Sequence, residues 1–541
     1  MEFSDTFLKE NLHQAAEQWA KVRTPDGMLE LEQTLPDLLN LLHTGVVRAV
    51  LESIHQDKEF VAECQSEAWE QGLHNVAWRE AKVMTLGGEE VKVKTPYAAR
   101  RRKGKKGRRR KVGKRGKGGS GDYPVMRRLG IVGRATPRLL AEVTRQVADG
   151  PSEVEAQERL AGWGIVLDRK TMRRYVRDVG NIALWQRRAD HSKEPGGENK
   201  PLAGKRVGIG ADGGRLRTRK DKRGRRRAKT GRHGFTPKWM EPKLVTIYTF
   251  DEQGRKERAG TVAYDGTLHG ADEAFELLIL QLKRLGASQA ELLIILGDGA
   301  DWIWNRVDRL CQALGIECER VIEVLDWAHA IGKLTQPAEV GLENQTQQQQ
   351  WLKRMRRALK RGKVEQVIQA LSALDQQNDL KDVIRKAIAY FHKHRERMRY
   401  DYFRANGLPI GSGAVESAIR RIVNLRMKGA GIFWLPANAE RLLYLRCRVK
   451  MGEWPAFVKF ALSQWADCMA VSLAELAQLF GQLWVVFKND PFWTVFQLGS
   501  LDTFIPSCSR LEERGHTSSE QNRQLWAQNH RFALIFGLSE P

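Results

Sequence analysis

Between Lys205 and Leu325 the apolar residues change their spacing, and no other feature limits the fold of this chain as tightly. Arg206-Val-Gly-Ile-Gly-Ala211, Lys243-Leu-Val-Thr-Ile-Tyr-Thr-Phe250 and Gly260-Thr-Val-Ala-Tyr264 are runs of strand length. A helical stretch from Glu273 to Leu285 then leads to a continuous apolar run, Leu292-Leu-Ile-Ile-Leu296. A second helical stretch, Trp302 to Leu314, leads to Val321-Ile-Glu-Val-Leu325. A short, continuous apolar run suits a strand covered on both faces. Three strands followed by helix–strand alternation predict a mixed α/β sheet with helices packed on it.

The flanking regions read as helical. Apolar residues at helical spacing, Leu31 through Leu42 and on to Ile54, predict helix over residues 1 to about 80, with Pro36 opening a helix within it. Gly87-Gly88, between Glu80–Leu86 and Glu90–Lys94, predicts a small hairpin. Ser152, with Glu155 three residues on, marks a helix start. That helix runs through Ala161, breaks at Gly162-Trp163-Gly164, and a second begins near Asp168. The second presents Lys170, Arg173, Arg174 and Arg177, so the pair predicts a helix-turn-helix that binds DNA. Residues 330–405 lose strand character and predict an inserted helical subdomain, with Trp351 in its core rather than stacked on a base. Trp454, Trp465, Trp484 and Trp493 lie in a final helical stretch that carries no catalytic signal.

The net charge is +25, and two short segments carry nearly all of it. Arg100–Lys117 holds thirteen Lys or Arg and no acid, interleaved with glycine and ending in Gly118-Gly119-Ser120-Gly121. It cannot bury a core and predicts a flexible linker. Arg215–Arg232 holds eleven Lys or Arg and one acid. Such concentration is the footprint of phosphate-binding arms. Six scattered cysteines with no Cys-x-x-Cys pair predict reduced thiols and argue against a zinc ribbon or a disulfide framework. No apolar run reaches the roughly 18 residues of a membrane span. The acidic, polar start is unlike a signal peptide, so the protein is expected in the cytoplasm.

The candidate chemistry lies at strand ends. Asp212, in Gly210-Ala-Asp-Gly-Gly214, and Asp298, in Leu296-Gly-Asp-Gly-Ala300, follow the first and fourth strands. Carboxylates at such ends suit Mg²⁺, and two ions there can serve in-line phosphoryl transfer. An Asp-Gly after a strand is ordinarily a turn. The second basic run, beginning three residues after Asp212, puts cations where a nucleic-acid backbone would lie. Asp301 could stand in for Asp298 but reads more simply as a helix cap.

Two further motifs carry a resemblance. Asp326-Trp-Ala-His329 resembles the Asp-x-x-His motif of Mutator-type and hAT-type transposases. Gly411-Ser-Gly-Ala-Val-Glu-Ser417, with Asn424-x-Arg426-x-Lys428-Gly429 and Phe433-Trp434, resembles the final catalytic-Glu helix of bacterial insertion-sequence transposases of the DDE type. Leu129-Gly130-Ile131 and Thr136-Pro137 resemble their N-terminal half. The resemblance spans roughly residues 90–450 and implies an RNase H-like core interrupted by an all-α insertion.

It further implies a catalytic, metal-binding triad of Asp212, Asp298 and Glu416, holding two Mg²⁺ ions for which Mn²⁺ can substitute. Asp326 and His329 are expected to support that triad or orient DNA rather than bind metal. The implied activity is cleavage at element ends and strand transfer into target DNA, by a prokaryotic, nucleoid-associated homo-oligomer. The expected DNA contacts are Arg100, Arg101, Arg102, Lys105 and Arg108 on the linker, the four cations of the helix-turn-helix, and Arg215, Arg217, Arg219, Arg225, Arg226 and Arg227 on the second run. Arg420, Asn424 and Lys428, every fourth residue after Glu416, are expected to share its helix face and to contact DNA phosphates beside the metal. Two rival readings are a non-catalytic DNA-binding descendant of a transposase and another RNase H-like nuclease such as a resolvase. The expected boundaries are 1–97 helical with a hairpin, 98–121 linker, 122–200 helix-turn-helix region, 201–329 first part of the core, 330–405 insertion, 406–450 final core helix and 451–541 C-terminal helical region.

Overall fold

The computed structural model describes residues 22–99, 121–192, 200–222, 224, 233–378 and 381–463. The chain divides into two compact units, Met1–Ala98 with Gly121–Met469, and Ala99–Ser120 with Ala470–Pro541. The second lies almost wholly outside the described residues, and so do Trp465, Trp484 and Trp493.

The first unit begins with α1 (Pro25–Gln56) and α2 (Lys58–Glu70). The Thr24 side chain accepts from the Gly27 amide and Pro25 occupies the first turn, where its missing N–H costs nothing. Pro36 therefore does not open a helix, as its spacing had suggested, but lies inside one. Helix also ends earlier than expected. Strand β1 (His74–Met84) pairs with β2 (Glu90–Ala99), and β2 with β3 (Gly121–Asp122). The first part of β1 is exposed, so its residues lack the alternation that announces a strand. The turn at Gly87-Gly88 is as anticipated, with Gly88 at φ 82°.

Short α3 (Pro124–Arg128) precedes α4 (Pro137–Asp149), α5 (Glu153–Ala161) and α6 (Arg169–Ser192). Ser152 Oγ caps α5 through the Glu155 amide at 3.0 Å, and Asp168 caps α6 through Lys170 and Thr171. The anticipated pair of helices is present, yet α6 continues far beyond a recognition helix. Its buried side share a hydrophobic cluster with α4 and with residues from 418 to 457. Arg187 on α6 is buried between Asp265 (3.2 Å) and Glu440 (2.6 Å), which ties this region into the rest of the unit.

The central sheet is a mixed one of five strands: β4 (Arg206–Gly213), β7 (Lys243–Thr249), β8 (Val262–Thr267), β9 (Leu292–Gly297) and β10 (Val321–Leu325). Their order is β10-β9-β4-β7-β8. β4 runs antiparallel to β7 and β7 to β8, whereas β4, β9 and β10 are mutually parallel. Strands β5 (Leu216–Asp221) and β6 (Phe235–Met240) form a separate hairpin. Helix α7 (Ala271–Arg284) covers one face of the sheet. The Trp302–Leu314 stretch is two helices, α8 (Asp301–Trp304) and α9 (Val307–Leu314). Asp301 is not their cap; it is the first helical residue, and its carboxylate pairs with Lys393 at 2.5 Å.

After β10 the chain is helical: α10 (Trp327–Gly341), α11 (Gln345–Lys360), α12 (Val364–Asn378), α13 (Lys381–His394) and α14 (Tyr400–Ala405). These helices share one core with the sheet, and Trp351 is buried in it. Helix α15 (Gly413–Ala418) and α17 (Pro436–Lys450) lie on the opposite face, with α16 (Leu425–Met427) between them and α18 (Trp454–Ser463) last. Cys64, Cys311, Cys318 and Cys447 are free thiols, three of them buried, while Cys468 and Cys508 lie outside the described residues. Among the described residues no helix is long and apolar enough to cross a membrane.

Candidate active site

Because β4, β9 and β10 are adjacent and parallel, their C-terminal ends stand side by side. Asp212 is the penultimate residue of β4, Asp298 follows the last residue of β9, and Asp326 follows the last residue of β10. Three carboxylates thus line one rim of the sheet. Each is fixed by local backbone: Asp212 accepts from Gly213 N (2.6 Å), Asp298 from Ala300 N (3.0 Å) and Asp326 from His329 N (2.7 Å). Tyr390 Oη, on α13, donates to the Asp298 carbonyl at 3.1 Å.

Glu416 reaches this rim from α15. Residues 208, 210 and 212 share one face of β4. Val415 packs onto that face where residue 210 has no side chain; a Cβ on Gly210 would stand 2.9 Å from the Val415 Cβ. The glycine lets the helix lie close to the strand that bears Asp212. The start of α15 is fastened to the end of β10 as well. Trp327 N donates to Ile410 O (2.9 Å), and Ser412 N to Asp326 Oδ2 (2.6 Å). Ser412 Oγ in turn donates to Glu416 Oε1 at 2.8 Å.

Burial grades across the site. Asp326 and Ser412 are buried, Asp212 and Asp298 half-buried, His329 partly exposed and Glu416 open to solvent. Burial would raise the Asp326 pKa, but hydrogen bonds from the His329 ring and amide and from Ser412 outweigh it and hold it at about 2. His329 Nδ1 sits 2.9 Å from Asp326 Oδ1. That bond raises the His329 pKa against its burial, helped by the charges of Asp326, Asp298 and Asp212. Burial, with the like charges of Asp298 and Glu416, raises the Asp212 pKa despite its bond from Gly213 and the opposing influence of His329. Asp212 therefore lies within electrostatic reach of Asp298, His329 and Glu416. The tightest cluster is another set: one ligand atom each from Asp326, His329 and Glu416, all within 4.8 Å of one another. Sequence reasoning named every one of these carboxylates but assigned no role to Ser412, although it lies within the quoted Gly411–Ser417 motif.

The basic residues divide three ways. Arg100–Arg108 and Arg225–Arg227 lie outside the described residues. Lys170, Arg215, Arg420 and Lys428 are exposed. The others have protein partners: Arg173 pairs with Glu153 (2.6 Å), Arg174 donates to Gly133 O (3.0 Å), and Arg177 pairs with Asp178 (3.1 Å). Arg217 donates to the Gly429 carbonyl and lies over the rings of Phe433 and Trp239, while Arg219 lies 3.5 Å from Asp221. The hairpin is thereby attached to the segment after the Glu416 helix, through Arg219 N to Trp434 O (2.8 Å) and Trp434 N to Arg217 O (2.9 Å).

Arg420, Asn424 and Lys428 do not form the straight stripe expected of them. Residues Ile419–Asn424 are a π-helix, whose wider turn breaks the four-residue phase, and Lys428 has extended backbone beyond the end of α16. The buried Arg446 guanidinium binds the Ile422 carbonyl at 2.6 Å and those of Arg421 and Ala148. Burial lowers its pKa to about 10. No protein-family model matches the chain, and no curated protein aligns with it.

Proposed function

We propose that this protein is a metal-dependent DNA transposase of the DDE type with an RNase H-like core. One observation carries the reading: Asp212 and Asp298 end adjacent parallel strands, and a helix seated on Gly210 brings Glu416 into electrostatic reach of Asp212. Three antiparallel strands, then two helix-linked strands parallel to the first, suit an RNase H-like sheet, and the helices after β10 suit its insertion. The basic hairpin joined to the Glu416 segment suits a DNA path beside the carboxylates.

The donor set fits Mg²⁺ or Mn²⁺. Oxygen ligands dominate it, and a divalent cation would offset both the burial and the like charges of Asp298 and Glu416 that raise the Asp212 pKa. Asp212, Asp298 and Glu416 would hold the metal, which when bound activates the attacking oxygen and stabilises the leaving one. The remaining groups position and donate. Asp326 locks His329 and Ser412, and Ser412 orients Glu416. His329, with its pKa raised and Nδ1 engaged, can donate from Nε2 to a phosphate oxygen.

Cleavage of labelled element ends in Mg²⁺ tests the assignment. Asp212→Asn and Glu416→Gln should each abolish nicking, and wild-type nicking by either would overturn it. Equal cleavage of generic junctions or RNA–DNA hybrids would move the reading to another nuclease of the same core.

A further inference from the structure

Helix α11 contains no acidic residue. Between its last turns and the start of α12 lies an open cleft of about 500 Å³. Arg354, Arg357 and Arg361 line it from one side, Lys363, Gln366 and Gln369 from the other, over a small apolar floor. All six are exposed. Farther along the same helical region Arg385 pairs with Asp375 (3.3 Å) and Lys393 with Asp301 (2.5 Å), whereas α11 has no acid of its own to pair with its cations. Among the described residues the four cations of the cleft form no ion pair. Asp401, whose carboxylate lies against Gly362 in the intervening turn, pairs with none of them.

Four like charges gathered without an ion-paired partner repel one another, and an anionic ligand relieves that cost. The last turn of a helix favours cations, which accounts for Arg357 in part. It does not account for Lys363 and two glutamine amides facing it from the next helix. The spacing indicates a line of anions. Residues 354, 357 and 361 rise along one helix face by about 10 Å, roughly three base-pair steps of duplex at about 3.4 Å each. Trp351, on the same helix, is buried and offers no ring for a base to stack on.

From these features we infer that the cleft is a second DNA-binding site, which holds the phosphate backbone of duplex DNA without reading its sequence. It is built from residues distinct from the carboxylate site, and it rests on the nucleic-acid reading above.

The test uses the full chain, a fluorescent duplex of arbitrary sequence and anisotropy over a range of KCl. Replacing Arg354, Arg357, Arg361 and Lys363 together by Gln should lower affinity at least tenfold. The slope of log affinity against log salt should fall by about 3.6, since each of the four lost phosphate contacts removes about 0.9. Single Arg357→Gln and Arg361→Gln changes, at exposed positions that do not threaten the fold, should each remove about one contact. Arg→Lys exchanges at 354, 357 and 361 should retain most binding, because a backbone contact needs charge rather than a planar fork. Wild-type affinity and slope in the Gln variants would overturn the inference while leaving the proposed function standing. Absence of duplex binding by the wild type would overturn both. Displacement of the duplex by equimolar inorganic phosphate at constant ionic strength would identify a small-anion pocket and overturn the backbone assignment.

Discussion

Asp326 shows how a single buried residue can organise its neighbours. Its two oxygens serve three donors on two elements: the His329 amide and ring, and the Ser412 amide. Such a carboxylate is stable only while ionised. Its folded pKa of about 2 lies below the unfolded value of about 3.9. The stabilisation is therefore fully present above about pH 4 and is lost as pH falls through about 2. Asp326→Asn should cost on the order of 2 kcal/mol at pH 7, measured by urea unfolding. The difference from wild type should shrink as the pH is lowered from 4 towards 2. A constant difference would mean that the residue acts through packing rather than charge.

At the scale of elements, the segment from Gly411 to Trp434 decides the shape of the site, and it was only partly legible in the sequence. The glycine-flanked Glu416 motif was visible, and so was the buried run Leu292–Leu296, because a strand covered on both faces has an unmistakable apolar signature. The π-helix was not visible. Nothing in Ile419–Asn424 distinguishes it from α-helix, and the donor bound to its carbonyls at 421 and 422 is the distant Arg446. Pro36 and the exposed start of β1 misled for the opposite reason: local residue preferences pointed one way and tertiary context another. Ser412 could not be ranked from sequence, since its importance lies in joining the ends of two elements 86 positions apart. Arg446→Met should leave the carbonyls of Arg421, Ile422 and Ala148 without this donor, at a cost of about 1–3 kcal/mol for each one left unpaired. Thermal unfolding reads that loss. An unchanged midpoint would show that the π segment does not depend on Arg446.

Taken as a whole molecule, the first unit joins what the sequence suggested were successive modules. Helices α4 and α6 share a core with α17, and the insertion shares one with the sheet. Residues expected to bind DNA in one region are thus held in a common frame with the carboxylate rim, as a reaction on a positioned strand requires. Contacts to six to ten phosphates would make duplex affinity fall about 10³–10⁵-fold between 50 and 200 mM salt. Removing Arg100–Lys117, with its thirteen cations, should flatten that dependence. A flat response in the intact chain would remove the basic segments from the account.

In the proposed function Asp212, Asp298 and Glu416 share a divalent cation. Titration of Mn²⁺ into the full chain, followed by the loss of the free-ion electron paramagnetic resonance signal, tests it without reliance on any DNA substrate. The wild type should bind Mn²⁺ saturably, with affinity weakened more than about tenfold in folded Asp212→Asn and Glu416→Gln proteins. Wild-type Mn²⁺ affinity in both variants would contradict it.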